Sequence, residues 1–114
     1  MRIFDFEAAS AAPILDCQSR EAASASIGDG AGEDHIHWLR FDPGGQIGPH
    51  PAGFAQLLVP LQGSGWAAGP DGTHRPIARG SAAFFAPGEV HSKGSDSGMN
   101  ALMIQVSTLT IGFQ

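Results

Sequence analysis

The chain has 114 residues, of which 42% are hydrophobic and 15% charged, and its formal net charge is -5 at pH 7. A chain of this length builds one domain with one core, and its apolar content excludes disorder through an excess of charge. The acidic balance argues against a nucleic-acid partner, because binding to a phosphate backbone needs a basic face.

The sequence also limits the compartment. No apolar run approaches the roughly 20 residues of a membrane span, and the first ten residues lack the apolar segment of a signal peptide. Cys17 is the only cysteine, which excludes an internal disulfide and a cysteine-rich zinc module, and we expect it to be inert. We therefore expect a soluble cytoplasmic protein without a membrane partner.

The N-terminal third carries weak patterns. Residues 2–6 alternate and predict a strand, and the alanine-rich residues 8–12 predict a helical turn that Pro13 ends. Residues 16–33 are small and polar, which predicts a loop or arm with a short strand near 24–27.

From His35 onward, glycine and proline separate short apolar runs at regular intervals, which is typical of an all-β domain. A polar loop is expected over residues 92–98. The chain is expected to form a single domain, with residues 1–34 as an N-terminal arm and 35–114 as a β-sandwich or barrel core. The predicted strands cover residues 35–41, 46–50, 55–61, 65–68, 73–78, 81–86, 99–106 and 109–113.

Three residues are candidates for a shared metal site: His50, Gln56 and His91. Six residues of straight strand span about 20 Å, so His50 and Gln56 cannot share a metal unless the chain reverses between them. Pro51 and Gly53 can supply that reversal. His91 follows a Pro-Gly turn and would complete the set from a neighbouring strand.

The spacing of these residues resembles two motifs of the cupin family. Gly44, His50, Gln56 and Gly63 fall at the positions of the first motif. The resemblance implies a double-stranded β-helix, or jelly-roll barrel, of the small cupin 2 type, with a small-molecule ligand in the barrel.

Gly80, Gly88 and His91 fall at the positions of the second cupin motif. The residues that resemble the family span positions 44–91, and the flanking strands extend the likeness to about 35–107. One fold hosts many activities, so the resemblance selects no reaction.

The chain departs from the cupin pattern at four positions. The second motif histidine is Ala52, the glutamate is Gln56, the proline is Ala86 and the final asparagine is Ser95. The resemblance then leaves His50, Gln56 and His91 as ligands of a divalent ion, which could be iron, zinc, nickel, manganese or copper. Without a carboxylate we expect weak binding and open positions for water or substrate.

A fourth ligand is expected from residues 35–41. Arg40 favours the odd-numbered face of this strand as the inner one, which would point His37 into the barrel. Glu89 precedes His91 by two residues and is the candidate catalytic base or partner of an imidazole. His35 and His74 are expected to be exposed.

Phe84 and Phe85 must point to opposite faces of their strand, and the outward ring hints at a homodimer. For function, the resemblance implies a metal-dependent dioxygenase, isomerase or lyase acting on a small organic molecule. The losses at Ala52 and Gln56 favour the alternative of a metal-free or weakly metal-binding small-molecule binder or sensor. A purely structural barrel is the third hypothesis.

Overall fold

The computed structural model describes residues 1–112, which fold into a barrel-like β-structure. One short 3-10 turn at Phe6–Ala8 follows the first strand. The strands in chain order are β1 (Arg2–Asp5), β2 (Ala12–Pro13), β3 (Ala23–Ser24), β4 (Gly28–Phe41), β5 (Gln46–Pro51), β6 (Ala55–Ala68), β7 (Arg75–Ala78), β8 (Ser81–Phe85), β9 (Val90–Gly94) and β10 (Met99–Ile111).

Strand β6 belongs to both halves of the barrel. Its first half lies in a sheet of order β1-β8-β6-β10-β4, where Leu58 is opposite Ala83 on one side and Met103 on the other. Its second half pairs with β7 and β9, and β9 also pairs with β5. All of these pairings are antiparallel, as expected for a jelly roll rather than a βαβ fold.

Two glycines permit β6 to pass from one half to the other. Gly63 has a φ of +76°, a left-handed conformation that favours glycine, and a Cβ there would collide with the carbonyl of Gly98. A Cβ at Gly65 would collide with the carbonyl of Gly94. The backbones therefore approach too closely at this bend for any side chain.

The core lies between the two halves, where inward-facing residues alternate with outward ones. Leu58 and Phe85 are completely buried at its centre. The core cluster consists of Phe41, Leu58, Ala67, Ile77, Ala83, Phe85, Met99 and Ala101.

The all-β prediction is confirmed, and so is the reversal between His50 and Gln56, because β5 ends at Pro51 and β6 begins at Ala55. The predicted strands 55–61 and 65–68 are one continuous strand, β6, and three further details were wrong. Residues 28–34 are the first half of β4 rather than a loop, since they pair with the end of β10. Residues 92–94 continue β9 rather than opening a polar loop.

The third error concerns residues 8–12, which form no helical turn. The 3-10 turn lies earlier in the chain, at Phe6–Ala8. Ala12–Pro13 pairs with Ala23–Ser24 as a two-residue antiparallel ladder. The predicted last strand, 109–113, is continuous with β10 to Ile111, and Phe113 lies outside the described residues.

The outer face of β4 carries large apolar side chains. Ile36 is 69% exposed and Trp38 is 58% exposed, whereas Phe41 on the opposite face is buried. Phe85 likewise points into the core while Phe84 is half-buried on the outside, as the strand alternation predicts. In residues 1–112, no helix has the length and apolar character needed to cross a bilayer. A homodimer through the outer face stays a prediction.

The burial of Leu58 at the centre of the core can be tested through the stability of the fold. Leu58→Ala removes a completely buried side chain and should lower the free energy of unfolding by about 2–5 kcal/mol. Leu15→Ala is the matched control, because Leu15 is 89% exposed and the same change should cost less than about 0.5 kcal/mol. Urea unfolding followed by tryptophan fluorescence measures both; equal effects would contradict the assigned core.

Candidate functional site

The two motif regions meet where β5 pairs with β9. His50 lies directly opposite His91 in this antiparallel pair, after a register shift between Ile47 and His50. The backbone of Ala52 closes the connection, since its N–H donates to the carbonyl of Glu89 and its carbonyl accepts from Gly88. Irregular registers of this kind redirect side chains beside functional sites.

His50 lies at the solvent-exposed side of this pair. Its Nδ1 is 2.7 Å from the carbonyl oxygen of Gly48. A carbonyl only accepts, so Nδ1 carries a proton and donates it, and in the neutral ring Nε2 keeps its lone pair. This hydrogen bond orients the ring and leaves Nε2 available to a ligand.

His91 is completely buried next to His50. Its ring centroid lies 4.5 Å from that of His50 and 4.4 Å from that of Phe85. Within the described part of the chain, neither ring nitrogen has a hydrogen-bond partner. Burial, followed by the charges of Lys93 and His50, lowers the pKa of His91 to about 4. The ring is therefore neutral at pH 7, with one donor and one acceptor unused.

Lys93 follows His91 by two residues on β9 and points to the same side, into the barrel. Its side chain is buried, its Nζ donates a hydrogen bond to Oε1 of Gln56 at 3.2 Å, and it lies 5.2 Å from the centroid of Phe85. Burial lowers its pKa from 10.5 to about 8, so most of the population still carries the ammonium at pH 7. An ammonium with a neutral amide as partner is costly in a protein interior.

Gln56 is the second residue of β6 and is buried opposite Phe85 of β8. The four side chains of His50, Gln56, His91 and Lys93 are called the interior polar cluster below: His91 and Lys93 lie near the ring of Phe85, Gln56 accepts from Lys93, and His50 lies beside His91. The cluster contains one cation and no carboxylate. Its unused groups are the remaining N–H bonds of Lys93, both nitrogens of His91 and Nε2 of His50.

His37 lies apart from this cluster. Leu39 and Phe41 of the same strand face pack on or in the core, so the odd-numbered face is the inner one as predicted. His37 itself is exposed, and its ring lies 6.4 Å from that of His35, which stacks on Phe54 at 5.8 Å. These rings therefore line the open edge of β4.

Glu89 is engaged elsewhere too. Its Oε1 lies 2.7 Å from the α-amino group of Met1, an ion pair in which both side chains are largely buried. The structure gives its carboxylate this ammonium as a partner in place of an imidazole of the cluster. A general base must be free to accept a proton from substrate, so Glu89 could act as one only when its pair with Met1 opens, and its catalytic role stays a prediction.

The residues present do not fit the divalent ion that the family resemblance implies. Gln56 contributes a neutral oxygen that already accepts a hydrogen bond from Lys93, so an ion there would have to displace this bond and would lie beside a side chain that is mainly cationic at pH 7. Within residues 1–112, no three His, Cys, Asp or Glu side chains are placed to share a metal. The imidazoles of His50 and His91 would by themselves favour binding of a divalent ion, but the positive charge of Lys93 beside them opposes it.

Sequence reasoning missed Lys93. Its neighbours Ser92, Gly94 and Ser95 have loop-forming composition, and this suggested a solvated loop. Two signals pointed the other way: Lys93 is the only lysine in the chain, and it stands two residues after His91, so strand alternation would place both on one face.

No family model and no curated protein matches the sequence. Among solved structures, a cupin-like protein from Thermotoga maritima aligns with a TM-score of 0.62 at 17% identity, covering 71% of this chain and 65% of that one. A conserved protein of unknown function from Streptococcus pyogenes aligns with a TM-score of 0.62 at 18% identity, covering 68% of each chain.

A third neighbour is a predicted oxalate decarboxylase from Thermotoga maritima, with a TM-score of 0.57 at 24% identity, covering 62% of this chain and 64% of that one. The chain thus spans about two thirds of these three neighbours. Identities this low establish the shared fold and leave the activity open.

The buried ammonium predicts a stability difference that depends on pH. Above pH 10.5, the ordinary pKa of lysine, Lys93 is neutral in both the folded and the unfolded chain and does not lower the free energy of unfolding. As the pH falls from 10.5 through about 8, the unfolded chain takes up the proton more readily than the folded chain, and the free energy of unfolding falls by about 3 kcal/mol in total. Lys93→Met should therefore stabilise the fold at pH 7, and the gain should shrink between pH 8 and 10.5. Urea unfolding of both proteins across this range measures the difference.

Few other groups interfere with this measurement, because the chain has no tyrosine and no second lysine. Arg79→Met removes an exposed cation and serves as the control, with an expected change within about 0.5 kcal/mol at every pH. A Lys93→Met variant that is less stable than the parent at pH 7 would contradict an uncompensated buried charge.

Proposed function

Because the chain has the cupin fold, we propose that it is a small-molecule-binding cupin whose barrel takes an anionic group, such as a carboxylate, at Lys93 without a resident metal. The observation that carries this proposal is the buried ammonium of Lys93, which has a neutral amide as its partner. A carboxylate would supply the missing negative charge and accept its remaining N–H bonds.

The hydrogen-bonding capacity of the cluster matches such a ligand. His91 can donate one N–H to an oxygen of the ligand, and its other nitrogen can accept from a hydroxyl. His50 is exposed above His91, so a ligand would enter along this edge. Charge-assisted hydrogen bonds inside a low-dielectric site are stronger than those at a surface.

The stability cost of Lys93 supports a functional role. Groups that destabilise a fold are found where activity or binding requires them, and strongly perturbed pKa values concentrate at such sites. A neutral residue of similar length, such as methionine, would fill the same space without this cost. The interior polar cluster is therefore better explained by a ligand than by packing.

The metal-dependent dioxygenase, isomerase or lyase implied by the resemblance is the less supported candidate, because a dication would have to share the cluster with Lys93. The predicted oxalate decarboxylase among the neighbours makes oxalate a suitable probe, since it is a small dicarboxylate. This choice of probe transfers no activity from that protein.

Titration with oxalate and with acetate tests the proposal. In the presence of a chelator and at low salt, calorimetry or amide chemical shifts at pH 7 should show saturable binding, with perturbations centred on His91 and Lys93. Lys93→Met should weaken it by at least about tenfold, since a hydrogen bond to a charged group is worth roughly 1.5–3 kcal/mol.

Arg79→Met provides the matched control, because it removes the same charge from an exposed position and should leave binding unchanged. Binding that Lys93→Met leaves intact, or that Arg79→Met weakens equally, would contradict the site. If neither oxalate nor acetate binds, the proposal is contradicted for small carboxylates.

A further inference from the structure

We infer that the ammonium of Lys93 stands in for a divalent cation in this barrel, so that the fold carries its own cation tethered to β9. The inference follows from the disagreement between the residues present and the metal that the resemblance implies. It goes beyond the proposed anion binding and does not depend on it.

The position of the ammonium supports this inference. Its Nζ donates a hydrogen bond to Oε1 of Gln56 and lies 5.2 Å from the ring centroid of Phe85, which is 4.4 Å from that of His91. Gln56 and His91 are two of the three residues at the ligand positions of the cupin motifs. The ammonium is therefore held among the ligand positions by a side chain that reaches them from the same strand as His91.

The neutral amide of Gln56 suits an ammonium better than it suits a divalent metal ion. An amide oxygen accepts a hydrogen bond from an ammonium and adds no charge, whereas a dication in the same place is held more tightly when one of its ligands is anionic. The face of Phe85, 5.2 Å from Nζ, supplies a further attraction for a monovalent cation. The amide of Gln56 and the ring of Phe85 therefore suit the single positive charge of Lys93.

The two imidazoles remain able to bind metal. His50 has its lone pair on Nε2, fixed by the bond to Gly48, and both nitrogens of His91 lack partners within the described residues. These are the nitrogen donors that first-row transition ions prefer. If the lysine is what excludes an ion, then removing it should expose a latent metal site.

Cobalt(II) and zinc(II) alone are the probes for this test. The parent chain, Lys93→Met, and Gln56→Glu/Lys93→Met are titrated by calorimetry, and the absorption spectrum of the cobalt forms reports the coordination. We expect no specific binding by the parent, binding by Lys93→Met, and binding at least about tenfold tighter by the double variant, because it adds an anionic oxygen.

Two controls separate a built site from general effects of charge. Gln62→Glu/Lys93→Met introduces the same acid at an exposed position and should bind no better than Lys93→Met alone. Adding His91→Ala to the double variant should abolish the spectrum, because it removes one imidazole.

Stoichiometric binding by the parent with the affinity of the variants would overturn the inference, and so would a folded Lys93→Met that binds no more metal than the parent. Circular dichroism establishes that each variant is folded. If the double variant does not fold, the comparison of the parent with Lys93→Met decides alone. Failure of oxalate binding would overturn the proposed function and leave this comparison intact.

Discussion

Strand β6 has to serve both halves of the barrel, and the rest of the structure depends on this constraint. The strand can pass between the halves because Gly63 and Gly65 have no side chain at the points where the backbones of Gly98 and Gly94 approach. Its first half then brings Gln56 beside Phe85, and its second half pairs with β9, the strand that carries His91 and Lys93. Residues far apart in sequence therefore meet around one buried ring.

The interior formed in this way is largely apolar, and its larger buried polar side chains, Gln56, His91 and Lys93, lie in one cluster. Phe41, Leu58 and Met99 could extend the core toward β9, yet the chain places an imidazole and an ammonium there. Hydrophobic burial elsewhere must offset the desolvation of both groups, since neither obtains a charged partner within the described residues. Such local conflict with the packing of the fold is expected at functional sites and is not expected of a scaffold.

Much of the fold could be predicted from the sequence, because glycine and proline mark the turns and because the spacing from Gly44 to His91 constrains the strands between them. The pairing of His50 with His91 followed from the same spacing. The role of Lys93 could not be predicted in this way: its local composition is that of a loop, and only the pairing of β9 with both β5 and β6 makes that segment an interior strand. For Glu89, the partner is the distant amino group of Met1, which no local pattern indicates.

The interior polar cluster also bears on whether the resemblance to cupins indicates a metal site. A motif that retains two histidines would ordinarily suggest a weakened metal site, and the loss of the carboxylate at Gln56 would be counted only as a missing ligand. With Lys93 in the same space, the neutral amide of Gln56 accepts a hydrogen bond from the ammonium that it contacts, and His91 and Lys93 both lie near the ring of Phe85. The ammonium of Lys93 is then a buried positive charge in a chain of net charge -5, and the anion that we propose as its ligand would supply the opposite charge that the cluster lacks.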